Sequence, residues 1–184
     1  MGNIQVNDPI RPHELTTIQG ERITIPVPEF CTHPQFRRFA GCPGCKLHLR
    51  SIAKRHDEIR GAGLREVVVF YSSAQAMKPH QGDQPFAIIS DPGRALYEEF
   101  GVQIALRSVL SPTAWVAWAK GAATLSTFPE PPTDGESKLG LPAEFLIGAD
   151  GRVQALKYGA HAYDQWSVDQ LLGLASEPAQ QAGS

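Results

Sequence analysis

Two of the three cysteines in this sequence stand two residues apart, as Cys42-Pro43-Gly44-Cys45. A CxxC pair can act as a reversible dithiol or supply half of a tetrahedral zinc site. Its setting favours the dithiol, because the pair falls where an extended stretch gives way to a helical pattern. At a helix N-terminus the unpaired N–H groups and the positive end of the dipole favour an anion, so Cys42 is expected to form a thiolate at neutral pH. Pro43 suits the first helical position, having no N–H to waste, and with Gly44 it forms a spacer that lets the two sulfurs meet within one turn. Arg37 and Arg38, just upstream, are expected to add positive potential. Cys45 falls on the apolar helix face, as the shielded partner that resolves a mixed disulfide formed at Cys42.

The zinc reading draws on Cys31 and His33, which with Cys42 and Cys45 formally complete a set of three cysteines and one histidine. A zinc knuckle usually sits on turns in a domain too small to fold without the metal, whereas this pair opens a long helix in a chain with ample core. The dithiol reading therefore leads, with the metal and with cysteines of no chemical role as the rivals. Cys31 by itself reads as a bystander. His48 follows Cys45 by three residues and is in reach of the pair, while His48, His56, His80 and His161 otherwise read as surface or structural histidines.

The elements that must position these groups follow from the pattern of the chain. Its 184 residues suit one globular unit, and 42% hydrophobic against 20% charged residues excludes a disordered chain. Seventeen basic against nineteen acidic residues give a net charge of -2, which excludes a dedicated nucleic-acid binder. The first residues lack a basic stretch followed by an apolar one, and Ser108 to Ala119 is too short to span a bilayer, so a cytoplasmic protein is expected. Residues 1–20 read as an arm, 21–175 as a single domain and 176–184 as a disordered tail. Ile23 to Val27 and Phe36 to Ala40 are expected as extended segments, and Pro43 to Arg60 as an amphipathic helix burying Cys45, Leu49, Ile52, Ala53, His56 and Ile59. The apolar run Val67, Val68, Val69 and Phe70 predicts a strand covered on both faces. A short helix capped by Ser72 and Ser73, a strand over Phe86 to Ile89 and a helix opened by Asp91, Pro92 and Gly93 continue the alternation. Residues 102–125 predict an apolar helical insertion carrying Trp115 and Trp118, and Ser126 to Gly140 an exposed loop. Asp150-Gly151 turns a hairpin between Glu144–Ile147 and Val153–Tyr158, and Val168 to Ala175 forms a last helix.

CPGC at a strand-to-helix junction, the buried VVVF run and the late LPAEFLIGADGRV together resemble a thioredoxin-like fold, an α/β architecture with a central mixed sheet flanked by helices. That resemblance implies a cis proline opposite the CxxC and assigns it to Pro142. More narrowly, QFRRFAGCPGCKLHLRS, YSSAQAMKPHQGDQPFAIISDPGRALYEEFGV and HAYDQWSVDQLL resemble the peroxiredoxin-like branch of the alkyl hydroperoxide reductase and thiol-specific antioxidant superfamily, over about residues 15–175. Peroxiredoxin sites carry a Pro, a Thr or Ser, the peroxidatic Cys and a distant Arg. Alignment on that pattern puts Cys45 at the peroxidatic position, Cys42 in place of the Thr, Arg38 in place of the Pro and Pro142 in place of the Arg.

Without the hydroxyl and the Arg that polarise a peroxide, fast peroxidase turnover loses its transition-state support. The resemblance and the CxxC together imply a thiol-disulfide oxidoreductase with Cys42 and Cys45 catalytic, Phe39 and Pro142 at the substrate, and Arg38, Pro43 and Gly44 in support. The implied partners are a disulfide or a peroxide and an external thiol reductant of the thioredoxin or glutathione type, with oligomers open and no cofactor, metal, nucleic acid or membrane required. One alternative is a thiol peroxidase with Cys45 peroxidatic and Cys42 resolving. The other is a non-catalytic zinc-stabilised or interaction module that uses Trp115, Trp118 and the Pro-rich loop.

Overall fold

The computed structural model describes residues 3–39, 43–81, 83–102, 141–161 and 164–176, with residues 43, 44, 80 and 81 described by their backbone alone. In chain order the elements are β1 (His13–Thr16), β2 (Arg22–Ile25), β3 (Cys31–Phe36), α1 (Pro43–Lys54), α2 (His56–Gly61), β4 (Leu64–Phe70), α3 (Ala74–Gln81), β5 (Ala87–Ser90), α4 (Ala95–Glu99), β6 (Ala143–Ile147), β7 (Val153–Tyr158) and α5 (Val168–Ser176). Strands β3 to β7 form one five-stranded sheet in the order β5-β4-β3-β6-β7. β3 runs parallel to β4 and antiparallel to β6, so the sheet is mixed, as expected from the sequence. The β6–β7 hairpin turns through Gly151, whose φ of 77° suits a residue without a side chain.

The sheet buries an apolar cluster on each face. β4 supplies both, since its side chains alternate: Val67 and Val69 join Phe36, Phe145, Leu96, Tyr97 and Phe100 on one side. Val68 and Phe70 meet Leu49 and Ile52 of α1, Ile59 of α2, Met77 of α3 and Leu171 of α5 on the other. All four residues of the VVVF run are at most 1% exposed, which is what a strand covered on both faces requires. β1 and β2 pair as a separate antiparallel ribbon, and residues ahead of β2 are tied to the main sheet where Thr17 bridges Ile89 and Ile18 is buried.

Three local expectations change. The helix expected from Pro43 to Arg60 breaks at Arg55, whose N–H bonds back three residues to Ile52 and whose guanidinium turns to Glu58 and Asp169. α3 runs beyond Met77, through Pro79, to Gln81, with Ser73 accepting the N–H of Ala76 as its cap. The extended segment expected over Phe36 to Ala40 is instead a strand over Cys31–Phe36, the central strand of the sheet. Its sequence, CTHPQF, hid it because one face carries polar residues and Pro34 interrupts the ladder, whose pairing with β6 skips His33 and Pro34. The insertion over 102–140, with Trp115, Trp118 and the Ser126 to Gly140 loop, lies outside the described residues beyond Val102, as does the tail from residue 177.

The polar face of β3 is buried because it is paired. His33 Nδ1 lies 2.9 and 3.0 Å from the two carboxylate oxygens of Glu66 on β4, and Gln35 donates to the same carboxylate. Arg37, just past the strand, donates to Glu144 of β6 at 2.6 Å and also to Gln35 and Gln165. The other oxygen of Glu144 accepts the N–H of Trp166 at 2.5 Å. His33, Gln35, Arg37, Glu66 and Glu144 are all at most 4% exposed. Charges removed from water hold such a core together only while each keeps its partner. Glu144→Ala, which strands the Arg37 guanidinium, is expected to cost about 3–5 kcal/mol in urea unfolding. The double variant Arg37→Met/Glu144→Leu is expected to recover most of that loss.

Candidate functional site

The site forms at the edge where β3, β4 and β5, all parallel, present their carboxyl ends. Three connections meet there: Arg37 to Phe39 leading towards α1, Tyr71 to Ser73 after β4, and Asp91 to Arg94 after β5. Helix α1 begins at Pro43, as its missing N–H suggested, and Cys45 lies in its first turn. Cys45 is 3% exposed and shares the buried cluster with Phe36, Phe39, Val69, Tyr71 and Tyr97. Leu49, Ile52 and Ile59 of the same apolar stripe are buried on the opposite face of the sheet, so Cys45 alone of the stripe reaches the cluster at the edge. Cys42 lies outside the described residues.

Tyr97 organises this corner. Its hydroxyl donates to the carbonyl of Arg37 at 2.6 Å and to that of Val69 at 2.8 Å. Burial, together with Tyr71, Asp91 and Cys45 nearby, holds the phenol well above its ordinary pKa, so it stays protonated. With that proton shared between two carbonyls, the oxygen offers its surroundings lone pairs only. Asp91 fixes the phenol in turn, accepting the N–H groups of Ala95, Leu96 and Tyr97 at the start of α4. The Tyr71 ring stands edge-on to Tyr97 with centroids 5.6 Å apart, and the Arg94 guanidinium lies 5.3 Å from the centre of Tyr71.

The remaining sequence candidates divide. Arg38 and Phe39 are both buried at this edge, the guanidinium 5.7 Å from the ring centre. Pro142 is buried one step beyond the Phe36–Ala143 pair, and so next to Arg37. The expectation of a cis bond there is corrected: Leu141–Pro142 is trans, and the cis peptide bond among the described residues is Ile25–Pro26. Pro142 directly precedes β6, where a trans proline without an N–H removes no ladder bond, and its carbonyl accepts the N–H of Gly159. Arg37 does not add charge to the site, because its guanidinium faces the far side of the sheet and is paired with Glu144. His48 is no surface residue: its side chain is 9% exposed, with Nε2 3.8 Å from Glu144. Cys31 stands at the amino end of β3, about 16 Å of strand from Phe36. His33 Nδ1 is taken by Glu66, and among the described residues no three His, Cys, Asp or Glu side chains are grouped to hold a metal. The polar set His33, Glu66, Arg37, Glu144 and His48 gave no periodic signal, since its members come from β3 and the residue after it, β4, β6 and α1.

The AhpC/TSA family model matches residues 35–156, from β3 into β7. The chain belongs to the AhpC/TSA family. As a member it is an oxidoreductase acting on peroxides or disulfides. No curated protein sequence matches it. Among solved structures it is similar to peroxidoxin BcpB from Mycobacterium tuberculosis, at 13% identity and a TM-score of 0.66, covering 94% of this chain and 97% of that one. It is also similar to the bacterioferritin comigratory protein of Xanthomonas campestris, at 15% identity and 0.63, over 91% and 92% of the two chains. StoA from Bacillus subtilis follows at 18% identity and 0.58, over 89% and 96%. At these identities the likeness shows the fold, a thioredoxin-like one. Among the described residues no helix is long and apolar enough to cross a membrane.

Two titrations test the geometry. Burial, then Arg37 and His33, push the His48 pKa well below 6.5, so the folded protein keeps it neutral while the unfolded chain protonates it. Stability is therefore expected to fall as pH drops below about 6.5, and the urea midpoint of His48→Gln to fall less steeply from pH 6.5 to 5. Burial, then the Glu66 charge, raise the Cys31 thiol from 9.0 to about 11. In a Cys42→Ser/Cys45→Ser variant, iodoacetamide is expected to label Cys31 at pH 8 roughly a hundredfold more slowly than a thiol of pKa 9.0.

Proposed function

We propose that this AhpC/TSA protein is a thiol-disulfide oxidoreductase whose reactive centre is the Cys42–Cys45 dithiol, within a domain spanning residues 21–175. The observation that supports it best is the burial of Cys45: at 3% exposure in the first turn of α1, it is shielded from a solvent-borne substrate, which leaves Cys42 to make first contact. The Cys42 thiolate attacks one sulfur of the substrate disulfide, forming a mixed disulfide and releasing the other sulfur as a thiolate. Cys45 then attacks the Cys42 sulfur. The bond from Cys42 to the substrate breaks, the second substrate sulfur leaves and takes the Cys45 proton, and the Cys42–Cys45 disulfide closes. Two electrons have passed to the substrate, and an external thiol of the thioredoxin or glutathione type returns them, as a reducing compartment such as the cytoplasm allows. Phe39, buried in the cluster that holds Cys45, and Pro142 are assigned to the substrate, with Arg38, Pro43 and Gly44 in support.

A second reading is favoured by the family match itself, and by the alkyl peroxide reduction activity named for the Xanthomonas campestris relative. In it, Cys45 thiolate attacks a peroxide to give Cys45 sulfenic acid and an alcohol or water. Cys42 then condenses with the sulfenic acid, releasing water and forming the same disulfide.

Stopped-flow mixing of reduced protein with one equivalent of hydrogen peroxide, followed by alkylation and mass mapping, separates the two. Under the proposed function, Cys42 and Cys45 oxidise no faster than a free cysteine, and Cys42→Ser abolishes reduction of a disulfide substrate. Oxidation far faster than a free thiol, retained at Cys45 in Cys42→Ser, would establish the peroxidase instead.

A further inference from the structure

Arg94 has an unusual placement that disulfide exchange at the cysteines leaves unexplained. It follows Asp91, Pro92 and Gly93 at the carboxyl edge of β5 and adopts a left-handed backbone, φ 61°, which a branched-chain or long side chain rarely takes without a reason. The turn is held on both sides: Arg94 N–H bonds to the Asp91 carbonyl, and the Arg94 carbonyl accepts from Glu98. The result aims the half-buried guanidinium at the face of Tyr71, 5.3 Å from its centre. Tyr71 is itself buried, leans edge-on against Tyr97 and belongs to the cluster that encloses Cys45 and Phe39. Among the described residues Arg94 has no carboxylate partner. Asp91, the nearest acid in the chain, has both oxygens committed to the N–H groups of Ala95, Leu96 and Tyr97.

The other cations near this corner are placed differently. Arg37 is paired with Glu144 beneath the sheet, Arg38 is buried with its guanidinium 5.7 Å from the centre of Phe39, and Arg11 reaches Glu99. Arg94 is thus a guanidinium held in place by stacking, with its donors unused by any acid among the described residues, at the edge where the dithiol helix starts. A planar fork of this kind takes a carboxylate through two parallel N–H···O bonds.

We infer that Arg94 is a specificity-determining residue that binds the carboxylate of a low-molecular-weight disulfide, so that the preferred substrates are disulfides of carboxylate-bearing thiols. This rests on the thiol-disulfide reading of the site. The carboxylate contact holds the substrate at the edge where α1 begins, and it discriminates against neutral and cationic disulfides of the same size.

The test compares reduction of 3,3'-dithiodipropionate, bis(2-hydroxyethyl) disulfide and cystamine by the reduced full-length protein. Each rate is divided by the rate of the same disulfide with dithiothreitol, which removes the difference in leaving-group reactivity. The anionic disulfide is expected to be favoured over the neutral one, with the cationic one last, and added salt to shrink the preference. Arg94→Gln is expected to lower the anionic-to-neutral ratio roughly tenfold, the size of one charge-assisted contact, and Arg94→Lys to restore part of it. Far-ultraviolet circular dichroism and the urea midpoint establish that the variants fold. A wild-type protein that reduces all three disulfides without charge preference, or a ratio unchanged in Arg94→Gln, overturns the role of Arg94 while the proposed function stands. Failure to reduce any of the three overturns both.

Discussion

Arg37 joins the two sides of this protein. Its guanidinium, buried beneath the sheet, holds Glu144, Gln35 and Gln165, while its carbonyl on the other side accepts the hydroxyl of Tyr97. One residue thereby ties the central strands to the corner where Cys45 is enclosed. A charge so far from water is tolerated only when its partners are in place, and those partners come from β3, β6 and the segment before α5. The position of the Cys45 corner therefore depends on the whole sheet being assembled in one register.

That dependence explains the division of labour between the two faces. The side carrying Leu49, Ile52, Val68 and Phe70 is a conventional apolar contact between helices and sheet, with a polar core set into it. The other side gathers aromatic rings, Phe36, Phe100, Phe145, Tyr71 and Tyr97, at edge-on or tilted angles with centroids between 4.9 and 5.8 Å. Cys45 is buried in the same cluster as these rings. Under the proposed function, the reactive pair joins this enclosed sulfur with that of Cys42.

Family membership and chemistry point in partly different directions, and the reason is local. The AhpC/TSA match spans the sheet and its connections, which are shared by enzymes that act on peroxides and on disulfides. Under the proposed function, what separates the two is a handful of side chains, Arg38, Cys42 and Pro142. By the sequence resemblance, a cysteine, an arginine and a proline stand where a peroxidase of the family would carry its threonine, proline and arginine. Under the proposed function the sheet supplies the place and these residues select the reaction.

The chain alone made the broad architecture and the oxidoreductase class legible. CPGC before an amphipathic stretch, the VVVF run and the Asp150-Gly151 turn each act through neighbours in sequence, so dipole, periodicity and turn preference suffice to read them. β3 was misplaced because Cys31–Phe36 has no apolar alternation, and its polar residues become sensible core only beside Glu66 and Glu144, 31 to 109 positions away. The same holds for Arg37, which reads as free positive charge until Glu144 is brought 2.6 Å from it, and for His48, whose burial follows from α1 lying on the sheet. At Pro142 the trans bond is the ordinary preference of an X–Pro bond, and it was the resemblance that led to the expectation of cis. Local rules set the helices, the buried strand and the turn, and contacts between distant segments decided which charges are buried and which are spent.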